Sequence, residues 1–225
     1  MSNDTVKLTI DGQATEVPAG TSIWDAAREL GIDIPVLCHS TRMRPVGVCR
    51  MCVVDTGARN LQASCVRPCE DGMEVDTRSE KVEKHRRMLL EMLLADYPED
   101  SARDAATGDD ELLNMARDYG ITEVRLRDGA SGRPQGVDLS SPVIAVDHQA
   151  CILCDRCVRG CNELQHNDVI TRSGKGYGTR IAFDLNTPMG ESTCVSCGEC
   201  MAVCPTGALT NRALADLKLE PLGSD

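Results

Sequence analysis

Cys151, Cys154, Cys157 and Cys161 lie in CILCDRCVRGC, and Cys194, Cys197, Cys200 and Cys204 lie in CVSCGECMAVCP. Both runs read C-x2-C-x2-C-x3-C. Thiolates this densely spaced do one kind of chemistry: they ligate a soft metal, as iron–sulfur clusters or as zinc. Zinc is satisfied by four ligands and rarely takes a third cysteine two residues on and a fourth three later. Both runs therefore read as iron–sulfur ligands. A third group, Cys38, Cys49, Cys52 and Cys65, is spaced C-x10-C-x2-C-x12-C. This departs from the plant-type C-x4-C-x2-C but keeps its logic of a loop around a metal pair followed by a distant fourth ligand. Cys69 competes for that fourth place. Cys65 is favoured because it follows the strand-like LQAS, whereas Cys69 follows Pro68 and opens the turn Glu70-Asp71-Gly72. Cys69 is then a free thiol. His39 invites a Rieske reading, but no second histidine element follows it, so it is read as a loop residue beside the site.

The two later runs resemble the ligand runs of bacterial two-cluster ferredoxins, where three cysteines hold one cubane and the fourth reaches the other. The resemblance implies one 4Fe-4S cluster on Cys151, Cys154, Cys157 and Cys204, and a second on Cys194, Cys197, Cys200 and Cys161. With a 2Fe-2S cluster on Cys38, Cys49, Cys52 and Cys65, three clusters use twelve of the thirteen cysteines.

Several elements must position these ligands. Val6, Leu8 and Ile10 alternate with polar residues, Asp11-Gly12 is a hairpin turn, and Gln13–Val17 returns. Thr21 or Ser22 caps a helix burying Ile23, Ala26, Ala27 and Leu30, which Gly31 closes. Gly47 lets backbone amides approach cluster sulfur, while Arg44, Arg50 and Arg67 read as surface charges that could meet a partner. Thr77-Arg78-Ser79-Glu80 reads as a capping box for a helix with Val82, Leu89 and Leu93 on one stripe, and His85 as a surface residue of it. Gly174–Gly178 fits no nucleotide-binding motif and reads as a turn between Val169–Arg172 and Ile181–Phe183. Pro205 and Gly207 reverse the chain, and Leu209 to Leu219 reads as a terminal helix. The fold class expected is α+β: an N-terminal β-grasp 2Fe-2S ferredoxin domain (1–78), a helical connector (79–142) and a two-cluster ferredoxin-like domain (143–225).

Composition narrows the function. The 225 residues carry a net charge of −11, which argues against nucleic acid. The aromatic residues are Trp24, Tyr97, Tyr119, Tyr177 and Phe183, so buried clusters are expected to help nucleate the core. No signal peptide or membrane span is read, and reduced thiols suit the cytoplasm.

In this order the three patterns resemble the amino-terminal part of the large iron–sulfur subunit of respiratory complex I. The same module occurs in iron-only hydrogenases, NAD-dependent formate dehydrogenases and the small diaphorase subunit of NAD-reducing hydrogenases. The most specific stretches are CHSTRMRPVGVCRMCVVD, SSPVIAVDHQACILCDRCVRGC and ESTCVSCGECMAVCPTGAL. That family also binds a 4Fe-4S cluster through one histidine and three cysteines, in approximately H-P-x-D-C-x2-C-x5-C. Here those ligand positions fall on Tyr97, Ser101, Asp104 and Asp110, while Pro98, Asp100 and Leu112 still match. Oxygen ligands suit clusters poorly, so the site is read as lost and the segment as vestigial and solvated.

No catalytic residues are read, and the stretch after Cys204 is too short for an active-site domain. The resemblance implies a non-catalytic electron relay in a hetero-oligomeric complex. Its partners would be an NAD(P)H-oxidising flavoprotein subunit and a catalytic subunit such as a hydrogenase, a formate dehydrogenase or another low-potential oxidoreductase. The alternative is a free-standing multi-cluster ferredoxin or redox sensor. A fumarate reductase-type iron–sulfur subunit fits less well, because its first motif is plant-type.

Overall fold

The computed structural model describes residues 4–99, 101–126 and 136–217. The chain divides into two compact units, 1–89 and 90–225, and the division falls inside one helix.

The first unit begins with a hairpin. Strands β1 (Thr5–Ile10) and β2 (Gln13–Pro18) pair antiparallel, Ile10 opposite Gln13. Asp11 and Gly12 link them at φ 48° and 79°, the left-handed pair that Asp-Gly accommodates in a two-residue turn. Helix α1 (Ile23–Glu29) starts at Ser22, whose hydroxyl accepts the Asp25 N–H, and buries Ile23, Ala26 and Ala27. Short strands β3 (Val53–Val54) and β4 (Gln62–Ala63) pair with each other. β5 (Met73–Val75) runs parallel to β1, giving the sheet order β2-β1-β5. Leu8, Ile10, Val17, Val54 and Val75 pack with the helix residues in one core, which also takes Cys52, Cys65 and Cys69.

Helix α2 (Glu80–Ala95) departs from the sequence reading at two points. Its cap is Ser79, whose hydroxyl accepts the Val82 N–H, whereas Thr77 bonds the hairpin's Asp11 through both N–H (2.7 Å) and hydroxyl (2.5 Å). Its buried stripe is Val82, Arg86, Leu90 and Leu94, not Val82, Leu89 and Leu93. Arg86 belongs to that stripe because its Nε and Nη2 donate to the carbonyls of Met51 (3.1 Å) and Val53 (2.8 Å).

The second unit contains α3 (Ala102–Thr107) and α4 (Glu111–Asp118), then a sheet. That sheet, ordered β10-β7-β6, uses β6 (Val137–Asp138), β7 (Ile144–Asp147) and β10 (Leu209–Asn211). Between β7 and β10 come α5 (Arg156–Arg159), the hairpin β8 (Ile170–Ser173) with β9 (Arg180–Phe183), and α6 (Glu199–Ala202). A one-turn helix at Gly176–Gly178 closes the hairpin, as the Gly174–Gly178 reading anticipates. The expected terminal helix is shorter: Leu209–Asn211 pairs with β7, and α7 covers Arg212–Leu217. The remainder of that expectation, at 218–219, lies outside the described residues. Among the described residues no helix is long and apolar enough to cross a membrane.

Candidate metal centres

In the first unit, the loop before β3 and the end of β4 bring four thiols together. The Cys38 N–H points at Cys49 Sγ (3.3 Å) and the Cys49 N–H at Cys38 Sγ (3.4 Å), while Cys52 Sγ and Cys65 Sγ are 3.3 Å apart. Gly47 turns this loop at φ 62°, and a Cβ there would meet Val66 at 3.3 Å. Ser64 anchors the fourth thiol's strand by donating to the Cys52 carbonyl (2.7 Å). Sharing hydrogen bonds splits each thiol pair. Cys38 and Cys65 are pushed up by their partners, and Cys49 and Cys52 are pulled down by the same contacts. Four crowded thiolates repel one another, and a cationic iron core relieves that repulsion, so the donor set fits a cluster.

Cys69 stands apart from these four. It is buried, its N–H donates to the Thr21 carbonyl (2.8 Å), and burial followed by Asp25 and Glu29 pushes its thiol up. His39 is buried with its ring edge-on to Trp24, centroids 4.6 Å apart.

In the second unit, each three-cysteine run repeats one backbone device. Leu153 and Asp155 have φ of 55° and 63°, and the equivalent Ser196 and Gly198 have 55° and 80°. Left-handed backbone at non-glycine residues costs about 1–3 kcal/mol each and persists where the surroundings over-determine it. Alternating left-handed residues curl the backbone of each run tightly between its cysteines. Cys154 and Cys157 are driven up first by burial, and then by neighbouring thiols that include Cys151 and Cys204. Cys200 is pushed up to about 12, first by burial and then by Cys194, Cys197 and Cys204. A cavity lined by Cys161, Cys194, Cys197 and Cys200, with Ile144 and Val169, joins the fourth cysteine of the first run to the second run. Gly160, beside Cys161, lets α5 approach α6; a Cβ there would lie 3.0 Å from Val203. Both the soft donors and the cavity fit iron–sulfur clusters.

The segment is read as vestigial and solvated, but three of its four ligand-aligned residues are buried, which corrects that reading there, while residues 105–109 are exposed. Tyr97 is 2% exposed, Ser101 4% and Asp110 0%. The hydroxyls of Tyr97 (2.5 Å) and Ser101 (2.9 Å) both donate to Asp110 Oδ2, and Asp110 Oδ1 caps α4 by accepting the Leu113 N–H (3.2 Å). Tyr97 in turn accepts the Gly207 N–H (3.0 Å), and a Cβ on Gly207 would come within 2.7 Å of Ser101 Oγ. The Asp104 carboxylate does not join this group but pairs with Arg117, while its N–H donates to Ser101 Oγ (3.4 Å) at the start of α3. Burial follows from the loop after Cys204, which covers three polar residues that satisfy one another.

Three polar residues near the cysteines escaped the sequence reading. Arg86 clamps the backbone around Cys52. Arg103 donates to the carbonyl of Cys204 (2.6 Å). Buried Arg156, between Cys154 and Cys157, donates to Glu111 (2.6 Å). None carries a motif; only tertiary contact reveals them.

Comparison with known proteins picks out the same two cysteine-bearing regions. Residues 3–80 match the family model of a 2Fe-2S iron-sulfur cluster binding domain, and residues 150–208 match that of a 4Fe-4S dicluster domain. The chain is 40% identical over 209 residues to the NADP-reducing hydrogenase subunit HndD of Solidesulfovibrio fructosivorans, covering 90% of this chain and 35% of that protein. It is 33% identical over 215 residues to the mitochondrial 78 kDa subunit of NADH-ubiquinone oxidoreductase from Candida albicans, covering 93% of this chain and 29% of that protein. Among solved structures, a chain of the NAD+-reducing NiFe-hydrogenase in the H2-reduced state superposes with a TM-score of 0.82 at 29% identity, covering 92% of this chain and 88% of that one. The chain thus spans about a third of the length of these two curated relatives. It carries a 2Fe-2S domain followed by a 4Fe-4S dicluster domain and resembles the iron–sulfur subunits of these oxidoreductases.

Proposed function

We propose that this chain is an electron relay carrying three clusters. A 2Fe-2S cluster is assigned to Cys38, Cys49, Cys52 and Cys65. One 4Fe-4S cluster is assigned to Cys151, Cys154, Cys157 and Cys204, and the other to Cys161, Cys194, Cys197 and Cys200. The reading is supported by the sulfur contacts among Cys38, Cys49, Cys52 and Cys65, by the cavity that Cys161 lines with Cys194, Cys197 and Cys200, and by the closeness of Cys204 to Cys154 and Cys157. When bound, each cluster accepts and releases one electron at a time. The protein's own work is to bury the sulfurs, exclude water and direct amide N–H groups at them, as Cys38 and Cys49 do.

Supported by its relatives' names, the reading extends to partners: an NAD(P)H-oxidising flavoprotein on one side and a catalytic oxidoreductase subunit on the other, in a hetero-oligomer. We read the β2-β1-β5 sheet with α1 as a β-grasp arrangement, the domains as 1–78, 79–142 and 143–225, and the location as cytoplasmic. Val46, Val48 and Val66 are exposed near the first quartet and offer an apolar contact there. The test is anaerobic isolation from native extract. Copurification with a flavoprotein, and reduction of all clusters by NAD(P)H only in its presence, supports the relay. Turnover of NAD(P)H or formate by the isolated chain refutes it, and recovery as a free monomer favours a stand-alone ferredoxin or sensor.

A further inference from the structure

The connector residues around the emptied site converge on the loop that carries Cys204. Arg103 Nη1 donates to the Cys204 carbonyl (2.6 Å) and also approaches the carbonyls of Met201 and Thr206 (both 3.4 Å). Tyr97 holds the Gly207 N–H, and the Glu111 N–H donates to the Pro205 carbonyl (2.9 Å). Four successive residues of the loop, 204–207, are therefore each bonded to the connector. Arg103 is also doubly bonded to Asp109, through Nε (2.9 Å) and Nη2 (2.8 Å).

The charges of that pair are unequally placed. The Arg103 side chain is 16% exposed and faces the loop, whereas Asp109 is 55% exposed and faces water. Water screens the carboxylate more than the guanidinium, so the contribution of this pair to the field on the loop is positive. Reduction adds an electron to the cluster, and a nearby positive charge favours the reduced form. The hydrogen bond to the ligand's own carbonyl acts in the same direction.

We propose that the segment aligned with a cluster site in its relatives serves here as a brace for the neighbouring 4Fe-4S cluster, with Arg103 as the positioning residue that raises its potential through the Cys204 backbone. This inference rests on Cys151, Cys154, Cys157 and Cys204 holding that cluster.

The test is an anaerobic redox titration of the full-length, cluster-loaded protein, followed by EPR, with iron and sulfide quantified for each variant. Arg103→Gln should favour the oxidised form of one 4Fe-4S cluster about tenfold at fixed potential, a downward shift of about 59 mV for one electron. Asp109→Asn, at an exposed position, should shift the same cluster upward by a smaller factor, about threefold. Arg103→Lys, which keeps the charge, should stay closer to wild type than Arg103→Gln. A merely structural role predicts no opposed shifts. The inference is overturned if Asp109→Asn leaves both 4Fe-4S midpoints unchanged, or if Arg103→Lys and Arg103→Gln shift equally. If Arg103→Gln fails to load, the opposed Asp109→Asn shift still decides. Failure of the underlying assignment looks different: wild-type protein would lack two 4Fe-4S signals at the outset.

Discussion

Replacing Tyr97 by phenylalanine probes the buried network while leaving its ring in place. The change removes one hydroxyl that donates to Asp110 and accepts from Gly207. Asp110 keeps Ser101 and the Leu113 N–H, so its loss is partial. The Gly207 N–H is buried and loses its acceptor, which costs about 1–3 kcal/mol, and the hydrogen bond lost at the carboxyl adds a comparable amount. Taking roughly 3 kcal/mol for the pair, and 1.4 kcal/mol per decade, local opening of this loop becomes about a hundredfold more frequent. Hydrogen exchange followed by mass spectrometry on the cluster-loaded protein reads this directly. Peptides covering residues 204–211 should lose about two decades of protection, while the β1–β2 hairpin, in the other unit, keeps its own. If residues 204–211 change by less than threefold in a variant that retains its iron, the network does not hold the loop and the argument fails.

Other consequences can be checked alongside. Cys65→Ser should remove about two irons and the 2Fe-2S signal, whereas Cys69→Ser should retain both, because Cys69 lies outside the quartet; metal analysis with EPR distinguishes them. Arg86→Ala uncovers the carbonyls of Met51 and Val53 and should cost about 3 kcal/mol, seen as faster loss of the 2Fe-2S absorbance under denaturant. Combining Tyr97→His with Ser101→Cys, Asp104→Cys and Asp110→Cys gives these positions the one-histidine, three-cysteine ligand types of the family that the sequence resembles and should raise iron from about ten to about fourteen per chain. An unchanged count would show that the rebuilt pocket no longer accepts a cluster.

The 2Fe-2S domain and the 4Fe-4S dicluster domain were legible because their cysteine patterns are local in sequence. Two or three residues separate the cysteines of each later run, and the chemistry of thiolates is narrow. The hairpin was legible for the same reason, since Asp11-Gly12 admits few alternatives. What failed was whatever depends on partners far along the chain. Tyr97, Ser101 and Asp110 are polar and looked solvated, yet Gly207, 110 residues beyond Tyr97, buries them. Arg86 hid the true stripe of α2, because an arginine reads as surface until two carbonyls 33 and 35 residues earlier need donors. Leu209–Asn211 has helical neighbours in sequence but pairs with Ile144–Val146, and that pairing overrides the local pattern.

The central claim is that three clusters, and no fourth, occupy this chain. Iron and acid-labile sulfide quantified on anaerobically purified, fully loaded protein, with EPR of the reduced form, test it most directly. The account predicts about ten irons per chain, as one 2Fe-2S and two 4Fe-4S clusters. About fourteen irons with a further 4Fe-4S signal would contradict it, because the Tyr97–Asp110 network would then be a metal site after all.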